Sequence, residues 1–252
     1  MRFNQLMAVA ATVAGLALIT GAAAPTTRPA SEASPLKLIP WPKSVKLDGG
    51  ELTLRPGGRI VASDSRLAPL AAVLHEELLA VAGLNFPPAP GPAKPGDVVL
   101  AINERLQAGQ DILTVKDRQV VRTRQGASRL SVKDKVTVEG YDYRAVAEGT
   151  ATLLQALVCK GGVAAVPAMT IDDWPHADYT GAMVDVARQE NSIADLKQMV
   201  EVCRAYKTRY LQLHLSDDQA WTFPSKAFPA RDARCTAWTN SRAWCNTPAT
   251  AA

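Results

Sequence analysis

Histidine is scarce in this chain of 252 residues, with only His75, His176 and His214, too scattered in sequence to suggest a shared site. Its four cysteines form no CxxC pair and no Cys/His cluster, so the ligand set of a structural zinc site is missing. His75-Glu76-Glu77-Leu78-Leu79 opens like a zinc-protease helix, but the second histidine of that motif is absent. There is no Gly-rich phosphate loop, no GxSxG and no kinase signature. Strong charge is lacking as well. Of the formal net charge of +4, Arg2 and the surplus of Arg231, Arg234 and Arg242 over Asp232 account for three, which leaves no basic field for nucleic acid.

What is present begins with a targeting pattern. Arg2 gives a short positive start, 6–20 is a mostly apolar run, and Gly21-Ala22-Ala23-Ala24 supplies the small residues of a cleavage site. The run is short for a membrane span, and no cysteine follows to accept a lipid. Residues 1–24 are therefore expected to be a signal peptide. The protein is expected to be exported to the periplasm or the extracellular space, without a membrane attachment after cleavage. A Pro/Thr/Ser/Ala linker follows over 25–35.

Next comes a region of short strands and two helices. Strands are expected at 51–54, 59–62, 98–103, 112–115, 119–123 and 136–139. A helix is expected at 67–82, with Gly83 as its stop, and another at 145–158, with Cys159 after it. This is an α+β pattern, and 167–175 reads as the hinge that leaves it. Beyond the hinge, 181–221 reads as strand, helix, strand and polar cluster. Ala182 to Val186 suits a buried strand. Ser192 with Asp195 forms a capping box, and Ile193, Leu196, Met199, Val200, Cys203 and Tyr206 share one helical face, where Cys203 reads as a buried free thiol. Residues 209–215 give a second strand. In such parallel units chemistry gathers past the carboxyl ends of the strands. Arg188 and Gln189 stand there after the first strand, and Ser216, Asp217 and Asp218 after the second.

Five phrases in order now carry a resemblance. Ile39-Pro40-Trp41-Pro42, the run from Glu148 to Gln155 (EGTATLLQ), Ile171-Asp172-Asp173-Trp174-Pro175, the run from Met183 to Arg188 (MVDVAR) and the run from His214 to Trp221 (HLSDDQAW) resemble glycoside hydrolase family 20, the beta-N-acetylhexosaminidases, over about 36–229. The resemblance implies a non-catalytic α+β domain over 36–171. It is followed over 176–229 by the first βαβ unit of a TIM (β/α)8 barrel, truncated, because a whole barrel takes about 250 residues. The tail 230–252 lacks periodicity, and its Cys235 and Cys245 fit no framework. It is read as out of frame after a break near Ala230, the alternative being an ordinary disordered C-terminus.

By family, the expected activity is exported hydrolysis of terminal N-acetylhexosamine from oligosaccharides or glycoconjugates. It would be retaining and assisted by the substrate's own acetamido group, with no metal or organic cofactor. The family's catalytic Asp-Glu pair, in a phrase resembling HxGGDE, does not occur in these residues, so the chain is expected to be inactive and no catalytic residue is named. The alternative is a non-catalytic, carbohydrate-associated envelope module. Substrate-binding candidates are Asp217, Asp218 and His214. From spacing alone the Asp217-Asp218 pair reads as loop carboxylates capping backbone donors, and the resemblance moves Asp217 into a sugar subsite. His214 is either a satisfied barrel histidine or a subsite donor. Asp185 and Arg188 read as an ion pair bracing the first strand, and Trp221 as a packed loop residue or a stacking face. The resemblance also implies an arginine before Gly181, gripping the same hydroxyls as Asp217. Thr180 stands there and cannot supply a forked cation.

Overall fold

Alternation of buried and half-buried side chains builds the main sheet. Ser128, Leu130 and Val132 of β6 (Ser128–Val132) are buried, as are Val136, Val138 and Gly140 of β7 (Val136–Gly140), while the residues between them are only half-buried. This is the pattern of a sheet covered on one face. The computed structural model describes residues 36–160, 163–189, 191–218 and 222. Before β6 come β1 (Ser44–Leu54), β2 (Ile60–Ala62), β3 (Val98–Ile102) and a hairpin of β4 (Ile112–Lys116) and β5 (Gln119–Thr123). After β7 come β8 (Val158–Lys160) and β9 (Val163–Asp173). The sheet runs β1-β9-β6-β7-β3-β2, with β8 also on β9. Pairing is antiparallel from β1 to β7 and parallel from β7 through β3 to β2.

Two helices cover the sheet, α1 (Ala68–Ala82) and α2 (Tyr143–Ala156). Gly83 ends α1 in the left-handed region at φ 68, as its place after the last apolar residue predicts. Asp142 caps α2 by accepting the Ala145 N–H at 2.8 Å. Leu70, Leu74 and Leu78 of α1 meet Val146 and Leu153 of α2 over Val98, Leu100, Leu130, Val138 and Ile171 of the sheet, all at most 2% exposed. The result is a mixed sheet-and-helix fold.

Three expectations are corrected here. The second helix begins and ends two residues earlier than the periodicity predicts, and Cys159 lies in a strand. The strand at 128–132 was not foreseen. The expected hinge at 167–175 is, as far as Asp173, the second half of β9, which pairs with both β1 and β6. Pro167 suggested a break because proline cannot donate to a ladder. It lies in the gap between the stretch paired with β8 (163–165) and the stretch paired with β6 (169–173), opposite Glu51 at the edge of the irregular part of β1.

Beyond β9, β10 (Gly181–Asp185) and β11 (Tyr210–His214) pair in parallel, and α3 (Ile193–Ala205) connects them. The expected capping box between Ser192 and Asp195 is formed, and Leu196 and Cys203 are buried. Cys203 is a free thiol, as expected. Its burial raises the thiol's pKa. Among the described residues no helix is long and apolar enough to cross a membrane.

Three cations, Arg204 in the last turn of α3 and Lys207 and Arg209 just before β11, tie this unit to the main sheet and its helices. Arg209 Nε reaches Glu148 Oε1 at 2.7 Å, and Lys207 Nζ reaches Asp173 Oδ2 at 2.7 Å. Arg204 contacts Glu77 at 3.1 Å and donates to Thr150 Oγ1 and the Ala147 carbonyl at 2.7 Å. Burial pushes the Glu77 and Glu148 carboxyls above the usual carboxylate range, against the pull of their arginines.

Two substitutions test this packing. A Cβ on Gly149 would stand 2.6 Å from Val138 Cγ1. Gly149→Ala is therefore expected to lower the urea-unfolding free energy by about 1–2 kcal/mol, although alanine is the better helix former by about 1 kcal/mol. Arg209→Met leaves the Glu148 carboxyl, whose side chain is only 14% exposed, without its guanidinium. It is expected to cost about 3 kcal/mol in the same measurement, and a loss under about 0.5 kcal/mol would show that the pair does not hold the junction.

Candidate functional site

The site is built by the carboxyl ends of two parallel strands. Asp185 closes β10 and His214 closes β11, and the register places them side by side. Asp185 Oδ1 accepts the backbone N–H groups of Ala187 and Arg188, both at 3.0 Å, which turns the chain as it leaves the strand. The turn folds Arg188 back, so that its Nη1 meets Asp185 Oδ2 at 2.7 Å and its Nη2 meets Asp217 Oδ2 at 2.5 Å. His214 Nε2 lies 2.8 Å from the same Asp217 oxygen, and Asp217 Oδ1 accepts the Asp218 N–H at 2.8 Å. The loop after β11 closes on itself, because Thr222 donates its N–H and Oγ–H to the Leu215 carbonyl at 3.0 and 2.7 Å.

The charges follow from this geometry. The His214 hydrogen bond holds the Asp217 carboxyl well below the usual carboxylate range, helped by the Asp218 N–H and the Arg188 guanidinium. Asp185 is lowered by the Arg188 N–H and side chain. Arg188 is raised by its hydrogen bond to Asp185 and by the charge of Asp217. An ionised carboxylate only accepts, so His214 carries its proton on Nε2. Two carboxylates held ionised cannot serve as a proton donor. Together with a half-exposed guanidinium that keeps free donors, they can grip hydroxyl groups from both sides.

Each sequence candidate has a place. Asp217 and His214 come together as one cluster. Asp218 enters through its backbone N–H. The Asp185–Arg188 pair forms as expected, but Arg188 also reaches Asp217, and that second contact was missed. The signal for it was available, since Arg188 follows the end of the first strand. Its explanation as the partner of Asp185 hid it. Thr180 requires a correction. It precedes β10, and its carbonyl accepts the N–H groups of Arg209 and Tyr210 at the amino ends of both strands. Asp217 lies past the other end, roughly 16 Å of strand away at about 3.3 Å per residue. No side chain at position 180 shares a hydroxyl with Asp217, and the forked cation beside Asp217 is Arg188. Trp221, Cys235, Cys245, the leader, the linker and the tail lie outside the described residues. Among the described residues no group of three or more His, Cys, Asp or Glu side chains is placed to hold a metal.

Residues 36–174 match glycosyl hydrolase family 20, domain 2, and residues 178–244 match the catalytic domain of the same family. The chain belongs to glycosyl hydrolase family 20. A beta-hexosaminidase of Vibrio furnissii is 28% identical over 201 residues, which cover 80% of this chain and 30% of that protein. A beta-N-acetylhexosaminidase of Cellulomonas fimi is 31% identical over 129 residues, covering 50% of this chain and 23% of that protein. Among solved structures, the family 20 beta-N-acetylhexosaminidase of Streptomyces coelicolor A3(2) superposes with a TM-score of 0.64 at 27% identity, over 79% of this chain and 39% of that one. An exo beta-N-acetylglucosaminidase of Vibrio harveyi, solved in complex with N-acetylglucosamine, shares the fold at a TM-score of 0.63 and 21% identity, over 82% and 30%. The chain thus spans under a third of the length of the curated relatives named here.

The lowered Asp217 predicts a pH effect with a definite sign. The unfolded chain takes up this proton at the ordinary carboxylate pKa and the folded chain only at lower pH. The stability Asp217 contributes is complete above the ordinary value and lost as pH falls through the depressed one. Asp217→Asn is expected to flatten the acid limb of a plot of Tm against pH between about pH 5 and 2, relative to the parent, while leaving its shape near neutrality unchanged.

Proposed function

We propose that this chain serves a beta-N-acetylhexosaminidase and that its Arg188–Asp217–His214 cluster holds the hydroxyls of a terminal N-acetylhexosamine. The cluster carries the reading. It stands past the carboxyl ends of two parallel strands, where barrel and doubly wound enzymes keep their chemistry, in a chain of family 20. Asp218 belongs to the same loop and fixes the Asp217 carboxyl through its N–H. In this reading β10, α3 and β11 are the first unit of a (β/α)8 barrel. Residues 36–171 form the non-catalytic domain, and the leader directs export.

The reaction proposed for the family's enzymes removes the sugar with retention, the substrate's acetamido oxygen attacking the anomeric carbon. Such a step needs a proton donor for the leaving oxygen and a carboxylate to orient the acetamido group. The 252 residues contain no HxGGDE phrase to supply them, and Asp185 and Asp217 are both held ionised. The residues present bind and orient the sugar, and by themselves they do not hydrolyse it.

Two measurements test this reading. Purified protein given a chromogenic N-acetylglucosaminide is expected to release no chromophore above a blank preparation. Saturable release retained by the purest fractions would overturn the assignment of a binding role alone. In N-acetylglucosamine titrations followed by NMR, Asp217→Ala and Arg188→Ala are each expected to weaken binding about tenfold or more, the scale of a charge-assisted hydrogen bond of about 1.5–3 kcal/mol. Unchanged affinity in both variants would remove the cluster from the sugar site.

A further inference from the structure

A second concave site lies at the opposite end of the β10–β11 pair. A cleft of about 450 Å³ opens between the β4–β5 hairpin, the first turn of α2 and the segment leading into β10. This volume falls within the range of about 300–1,000 Å³ of small-molecule sites. We propose that this cleft is an accessory binding site for a neutral saccharide, separate from the Arg188–Asp217–His214 cluster, with which it shares no residue. That the ligand is a saccharide rests on the function proposed above.

The chemistry of the walls selects the ligand. Arg144 and Asp178, of opposite sign, stand beside the Gln125 amide and the Thr123 hydroxyl, and Val115 adds an apolar surface that is 76% exposed. A phosphate or another compact anion would meet Asp142 and Asp178 as well as the cations. A wholly apolar ligand would strip water from these charges and return no hydrogen bonds. A pyranose has hydroxyls around its rim that both donate and accept, and a C–H face. It can satisfy a guanidinium, a carboxylate and an amide while covering a valine.

The polar groups are also held in place before any ligand arrives. Arg209 Nη1 donates to the Asp178 carboxyl and carbonyl, both at 3.2 Å, and Arg209 is itself fixed by half-buried Glu148. The Asp178 N–H is tied to the Leu113 carbonyl of the hairpin at 2.7 Å. The Arg144 guanidinium lies over the Tyr210 ring, 5.9 Å from its centroid, and Tyr210 stacks on Tyr179 at 5.1 Å with planes 18° apart. Holding donors and acceptors rigidly lowers the entropy cost of binding, which is what a weak sugar site requires.

The test uses the full chain and N,N′-diacetylchitobiose as probe, read by saturation-transfer NMR and calorimetry. Gln125 and Arg144 are both exposed, so Gln125→Ala and Arg144→Ala are expected to fold, which thermal melting checks. Saturable binding is expected at millimolar sugar in the Asp217→Ala background, weakened about tenfold by either cleft substitution. No saturable binding in that background, or binding that both cleft substitutions leave unchanged, overturns the proposal. If binding is lost in Asp217→Ala alone, the strand-end cluster is upheld and the cleft is refuted, so the two assignments fail separately.

Discussion

Burying Arg204, Lys207 and Arg209 within one turn and strand start is the constraint on which the arrangement of this protein depends. Their side chains are 17%, 8% and 7% exposed, and each ends on a carboxylate from α1, α2 or β9. Removing a cation from water costs several kcal/mol, recovered only when its partner is correctly placed. Shifting the segment 204–209 that leads from α3 into β11 by one residue would leave its three cations unpaired at once. The pairs therefore specify the register of β11 at its amino end, and the parallel ladder passes that register to β10. What happens at the carboxyl ends follows, because Asp185 and His214 are neighbours only in this register.

The same chain drives its carboxylates in opposite directions, and the contrast separates structural acids from site acids. Glu77 and Glu148 are half-buried, and desolvation raises them. Asp185 and Asp217 are partly open, and hydrogen bonds lower them. A raised carboxyl contributes its stability below the ordinary pKa and loses it as pH rises through the raised value. A lowered carboxyl contributes above the ordinary pKa and loses its share as pH falls through the depressed value. The two groups thus oppose each other across the acid range. A mildly acid medium weakens neither the junction through its glutamates nor the strand-end cluster through its aspartates.

Local signals in the sequence were read well where one physical cause acted alone. Gly83 after an apolar helix, the Ser192–Asp195 capping box and the parallel pair around 182–186 and 209–215 all stand in the structure within a residue or two. Legibility failed where a partner distant in sequence decided the outcome. Pro167 looked like a break because its ladder gap is made by β6 and β8 together. The strand at 128–132 carries two serines and an arginine, and it is recognisable only once Arg129 is seen paired with Asp172 of β9 at 2.6 Å. Arg188 has a partner three residues away in Asp185, and its bond to Asp217, twenty-nine positions on, leaves no local pattern in the sequence.

The separation of Thr180 from Asp217 has the same root. Motif order along the chain places position 180 beside the first strand, and that closeness in sequence suggested closeness to Asp217. Parallel strands separate what the sequence joins, since the residue before a strand and the residue after it lie a full strand length apart. A forked cation beside Asp217 must come from the turn after β10, where only Arg188 is placed to supply it. Its two nitrogens already face two carboxylates, both ionised, which leaves the remaining donors and the outer carboxylate lone pairs for a ligand. A neutral, hydroxyl-rich ligand fits that remainder better than an anion, which would meet Asp217 and Asp185, or a cation, which would compete with Arg188. The electrostatics of the strand ends thus agree with the neutral, hydroxyl-rich ligand proposed above.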